Sequence, residues 1–220
     1  MAPTNTGSLM STIFMSSKGG NCTTVTAAAY AYLSAIRGNN VLLIDLCGDI
    51  PAVIGATQPT TPGINDWLSE GCTLNAEQLV QLGDPVMQGL VVVHTGSSVV
   101  DGEPRWKELA DAIHSLPHTV IFDAGTGFIP EVLRNAVSEI TMVTRSCYLS
   151  LRHATTLQRP TNAFLIEEPG RALTASDVSH VLGVPIMAKI PYDSTISRAV
   201  DAGLLPSRVE QLFAPHFTNL

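Results

Sequence analysis

Short apolar runs alternate along this chain with stretches of helical spacing, and that alternation restricts the fold more than any other feature. The runs STIFMS (11–16), NVLLIDL (40–46), GLVVVHTG (89–96), HTVIFDAG (118–125), EITMVTR (139–145), TNAFLIEE (161–168) and VPIMAKIP (184–191) predict about seven strands. A continuous run such as NVLLIDL, rather than an alternating one, is the pattern of a strand buried on both faces. Helical spacing fills the intervals: TTVTAAAYAYLSAIRG, closed by Gly38, then roughly 62–70, 75–82, 103–115, 130–137, 149–158, 174–182, 194–203 and 206–214. Strands and helices in this order predict an α/β fold, a doubly wound, mostly parallel seven- to eight-stranded sheet with helices on both faces. At 220 residues and 45% hydrophobic, the chain suits one domain, expected over 11–220 after a disordered tail over 1–10.

The most informative loop is SSKGGNCTT (16–24), between the first strand and the first helix. Glycines at that junction give a tight turn with exposed N–H groups, and the helix N-terminus adds a positive dipole end, so phosphate oxygens can be held there. Asp45 ends the second expected strand and Asp123 the fourth. Carboxylates at the C-terminal ends of parallel strands face the crevice where ligands bind, and there they can hold Mg²⁺.

Taken together, SKGGNCTTVT, VLLIDLCGD and TVIFDAGTG resemble the motifs of the ParA/MinD family of P-loop ATPases, and LGVPIMAKIPYDSTISRAVDAGLLP resembles its C-terminal segment. The resemblance runs from about residue 11 to 208. It implies a P-loop NTPase fold with a deviant Walker A motif that binds ATP or ADP with Mg²⁺. It also implies a nucleotide-sandwich homodimer serving a positioning system in cell division, partitioning or polar assembly, with TadZ/CpaE-like pilus localisation proteins as degenerate members. On it, Lys18 is the signature lysine, and Lys18, Gly19, Gly20, Asn21, Cys22, Thr23 and Thr24 form the nucleotide loop. Thr24, Asp45 and Asp123 are the metal-facing groups, and Lys18, Asp45 and Asp49 are the candidate catalytic ones. Glu167, with Glu168 beside it, and Pro191 and Asp193 fall where the family contacts the base.

Two departures bear on activity. Cys22 and Thr23 stand where the family has the glycine and the phosphate-cradling lysine, and Cys47 stands where it has the carboxylate that positions the attacking water. Phosphoryl transfer depends on positioning and charge stabilisation. One charge-stabilising group is worth roughly 3 kcal/mol, about two decades in rate. The sequence therefore predicts binding with very slow or absent hydrolysis, a pseudo-ATPase. Two other readings stay open: an active ATPase using Lys18 and Asp49 in place of the lost groups, and an interaction module that binds no nucleotide.

Charge and cysteines narrow the setting. The net charge of −7 and the three lysines, Lys18, Lys107 and Lys189, do not favour DNA as a partner, although Arg134, Arg145, Arg152, Arg159 and Arg171 leave it open. Cys22, Cys47, Cys72 and Cys147 form no paired motif and are expected as reduced thiols in a cytoplasmic protein. The opening residues lack the basic and apolar regions of a secretory signal. The C-terminal helix carries Arg208 as its only cation, so Val209, Leu212, Phe213 and Phe217 are expected in the core rather than on a membrane. Trp67 is expected to anchor either the core or a partner.

Overall fold

The computed structural model describes residues 10–69, 75–97, 99–100 and 102–217. Residues 1–9 of the tail expected over 1–10, and Cys72, lie outside these. Met10 gives its carbonyl to the Val120 N–H at 3.0 Å.

The elements follow one another as β1 (Ser11–Met15), α1 (Thr23–Ile36), β2 (Val41–Asp45), α2 (Ile50–Val53), α3 (Ile64–Leu68), α4 (Ala76–Gln81), β3 (Asp84–Met87) and β4 (Leu90–Val93). Then come α5 (Trp106–His114), β5 (Thr119–Asp123), α6 (Glu131–Ala136), β6 (Glu139–Arg145), α7 (Tyr148–Ala154), β7 (Asn162–Glu167), α8 (Ala175–Leu182), β8 (Ile186–Pro191), α9 (Ser194–Asp201) and α10 (Leu205–Phe213). The sheet has eight strands in the order β3-β4-β2-β5-β1-β6-β7-β8. Every pairing is parallel except β3 with β4.

Strand β3 is the one the apolar runs did not announce, so Asp123 ends the fifth strand rather than the fourth. Its sequence, DPVM, is half-exposed and contains Pro85, which has no N–H to give. Proline is tolerated there because β3 is a rim of the sheet. The other rim, β8, carries the exposed Lys189.

Each face of the sheet has its own core. On one, Ile13, Leu42, Ile44 and Phe122 pack with Trp67, Leu109, Leu133 and Val178 from the covering helices. Trp67 is only 1% exposed, so it anchors the core. On the other face, Phe14, Leu43 and Ile121 pack against α1, whose alanines 27, 28, 29, 31 and 35 are buried. Small side chains let α1 lie between the sheet and α10 without overpacking. Phe213 and Phe217, buried as expected with Val209, close this face through rings 5.5–5.9 Å apart with Phe164, Tyr30 and each other. Leu212 is partly buried against the same cluster.

Candidate phosphate-binding site

Four adjacent strands, β2, β5, β1 and β6, end at one edge of the sheet. They deliver the glycine loop and Arg145 to a common cleft, with Asp45 and Asp123 buried beside Cys47 and Gly125, which line it. The register pairs Asp45 directly with Asp123. Strand β6 pairs Met142 with Met15 and runs on to Arg145, alongside the loop that leaves β1.

The loop keeps an open, anion-cradling backbone. Gly20 has φ 80°, and a Cβ added at Gly19 or Gly20 would meet nothing within 4 Å. Cys22 caps α1 at φ 63°, ψ 29°, and is the only non-glycine with positive φ among the described residues. The backbone thus holds the conformation a glycine would take freely, at a cost of order 1–2 kcal/mol. Polar side chains brace it from below. Asn21, buried, donates from Nδ2 to Ser16 Oγ and Ser150 Oγ, both at 2.8 Å. Ser17 Oγ donates to the Ser150 carbonyl at 2.7 Å. Asn21 therefore fastens the loop to α7, and its amide is committed there rather than to the cleft.

Across the cleft the carboxylates differ in use. Asp45 is fully buried, and its Oδ1 accepts the N–H of Cys47 at 3.1 Å and of Gly48 at 2.7 Å. Its Oδ2 accepts the N–H of Ile50 at 3.0 Å. Both oxygens thus shape the turn into α2, and burial still pushes its pKa up. Asp123 accepts the Gly125 N–H at 3.1 Å on Oδ1, while Oδ2 takes the Cys47 thiol at 3.1 Å. Burial raises its pKa to about 6, against the lowering influence of the Cys47 thiol and the Thr24 hydroxyl. Burial, and then the two carboxylates, push the Cys47 thiol far above its ordinary range, so it is a neutral S–H at physiological pH.

For Mg²⁺ the hard oxygens on offer are the Thr24 hydroxyl, 3.8 Å from Cys47 Sγ, and the Asp123 carboxylate, whose Oδ2 is 3.1 Å from the same sulfur. The oxygens of Asp45, Cys47 Sγ and Asp123 lie within 4.8 Å of one another. A protonated thiol is a poor partner for a hard cation, and Asp45 is already satisfied by the backbone.

Lys18, Gly19, Gly20, Asn21, Cys22, Thr23, Thr24 and Asp49 all line one open cleft of ≈ 1290 Å³, counting solvent at its mouth. The cleft itself holds ≈ 670 Å³, within the ~300–1,000 Å³ common for ligand pockets, so a nucleoside triphosphate has room. Pro191 and Asp193 line an adjoining shallow apolar groove that shares Cys22 with the cleft. Glu167 lies apart from both, with its carboxylate 3.6 Å from Lys189. Sequence reasoning grouped Arg145 with the surface arginines, but it lines the cleft beside Tyr192. The signal lay in the pairing of β6 with β1, which no local pattern carries.

No family model matches the sequence, and no curated protein is similar to it in sequence. Solved structures match in fold. A ParA family ATPase from Chlorobium tepidum TLS is 21% identical with a TM-score of 0.75, covering 97% of this chain and 100% of that one. The septum site-determining protein MinD from Pyrococcus horikoshii OT3, complexed with Mg-ADP, is 18% identical with a TM-score of 0.71, covering 94% and 92%. The MinC:MinD complex of Aquifex aeolicus is 19% identical with a TM-score of 0.70, covering 95% and 91%.

Proposed function

With the ParA/MinD-like fold as the premise, we propose that this chain is a nucleotide-binding switch or scaffold of a positioning system, with weak or no hydrolysis. The observation that carries the reading is the loop. Its backbone stays open and braced around Gly19 and Gly20, while two charged positions of the family motif are held by Thr23 and by the neutral thiol of Cys47. ATP would place its phosphates on the loop amides and on Lys18, which is exposed and makes no ion pair among the described residues. Thr24 and Asp123 would hold Mg²⁺, which supplies charge neutralisation on the phosphates. The apolar groove beside Pro191 would take the base. Neighbours in fold bind Mg-ADP or assemble with MinC, which supports a nucleotide-linked homodimer with a protein partner. A cytoplasmic setting agrees with the absence, among the described residues, of any helix long and apolar enough to cross a membrane.

Asp49 favours a second reading. It is exposed, makes no side-chain cap at the start of α2, and faces the same cleft. It would then position the water in place of Cys47.

Thermal shift with ATP and Mg²⁺ tests the binding. Saturating ligand at about 100 times its Kd should add about 2.7 kcal/mol of stability, and Lys18→Ala and Asp123→Asn should lose the effect. An unshifted wild-type melt at millimolar ATP would leave only an interaction module. Phosphate release then separates the two nucleotide readings: turnover abolished by Asp49→Ala establishes the second.

A further inference from the structure

We propose that Arg145 supplies the phosphate loop with the positive charge that Thr23 cannot, so that the cleft grips a phosphoanhydride chain between two cations, Lys18 and Arg145. The inference rests on the reading of the cleft as a phosphate site and assigns that site a residue from a different strand.

Placement comes first. Arg145 ends β6, three residues past the Met142–Met15 pairing, so its Cα lies level with the turn that leaves β1. Its Nη2 reaches to 3.9 Å from Cys22 Sγ, at the helix start where the loop amides point. It lines the same cleft as Lys18, Gly19, Gly20 and Thr24. A strand-borne side chain at this point is held more firmly than a loop lysine would be.

The guanidinium is also oriented in advance. It lies 4.8 Å from the centre of the Tyr192 ring, and Nη1 donates to Glu168 Oε1 at 2.7 Å. Its Nε is buried and has no partner. Glu168 does not neutralise it, because the other carboxylate oxygen is taken by Arg171. One anion shared by two guanidiniums leaves Arg145, which lines the cleft, incompletely neutralised. The remaining charged side chain that lines the cleft is the acidic Asp49, so a polyanion needs that residual positive charge. Arginine's planar fork suits phosphate oxygens, and its charge does not depend on pH.

A bracing role for Arg145, holding Tyr192 and Glu168 in place and nothing more, makes a different prediction. It would weaken every ligand of the cleft alike. The test is calorimetry of wild type, Arg145→Met, Arg145→Lys and the double variant Thr23→Lys/Arg145→Met against Mg-ATP, adenosine and inorganic tripolyphosphate. Arg145→Met should weaken Mg-ATP and tripolyphosphate about tenfold to hundredfold, as a lost charge-assisted hydrogen bond does, and leave adenosine unchanged. Arg145→Lys, which keeps the charge but loses the planar fork, should fall between wild type and the Met variant, and a lysine at position 23 should restore the Met variant. Arg145→Gln replaces the Met variant should that one fail to fold. Unchanged Mg-ATP affinity, an equal loss for adenosine, or a Lys variant as weak as the Met variant overturns the inference. Tripolyphosphate bound through Arg145 without Mg-ATP binding would sink the adenine-nucleotide reading and keep Arg145. Wild type binding neither ligand would sink both.

Discussion

Asp123 is the residue at which folding and the proposed metal binding pull in opposite directions. Its carboxyl is fully buried, and its pKa rises from 3.8 to about 6, first through desolvation. Between those values the folded chain keeps a proton that the unfolded chain has lost. Stability must therefore fall as pH rises through the window and stay low above it, by on the order of 3 kcal/mol at most. Asp123→Asn should flatten that decline and melt higher than wild type at pH 7.5 without nucleotide, while the Mg-ATP stabilisation disappears. Melting curves of both proteins between pH 4.5 and 7.5 check it. Parallel curves would mean that the hydrogen bonds from Gly125 and Cys47 fully offset the burial. Cys47 sharpens the same conflict, since a neutral thiol between two carboxylates satisfies Asp123 but cannot orient a water as an anion does.

Among the elements, α1 and α10 form the part of the fold that carries the loop. Helix α1 begins at the Cys22 cap and is packed against α10, whose Phe213 is 1% exposed. Phe213→Ala should cost about 3–5 kcal/mol, read as a drop in the urea midpoint at unchanged slope. A loss below about 1 kcal/mol would show that Phe217 and Phe164 close the gap. Most elements were legible because a buried strand must be apolar throughout and a covering helix must repeat its contacts. Two escaped. The four residues of α2 (IPAV) are too few to show a period, and β3 hides behind Pro85 on a rim where no apolar face is required. The loop, Asp45 and Asp123 were legible as a site because each stands next to its strand end. Whether Asn21 braced the loop or faced the ligand was not, for its partner Ser150 lies 129 residues away. Arg145 escaped for the same reason, being set by strand order rather than by neighbours in sequence.

For the whole molecule, the fold is ParA/MinD-like. On the proposed reading, Thr23 and Cys47 stand where charged groups would serve hydrolysis, and Cys47 Sγ lies 3.1 Å from Asp123. If that is the only defect, the double variant Thr23→Lys/Cys47→Asp should raise ATP turnover by about two decades or more, measured as steady-state phosphate release. No gain, in a variant that still binds ATP, would place the defect elsewhere. The rims of the sheet have a consequence of their own. A parallel sheet that ends in an open, flat strand offers its unpaired amides to any other extended chain, and so to fibril growth. Here one border has a residue with no amide hydrogen, Pro85, and the other has an ammonium group, Lys189, projecting from it. These two side chains discourage strand-on-strand stacking at either rim of the sheet.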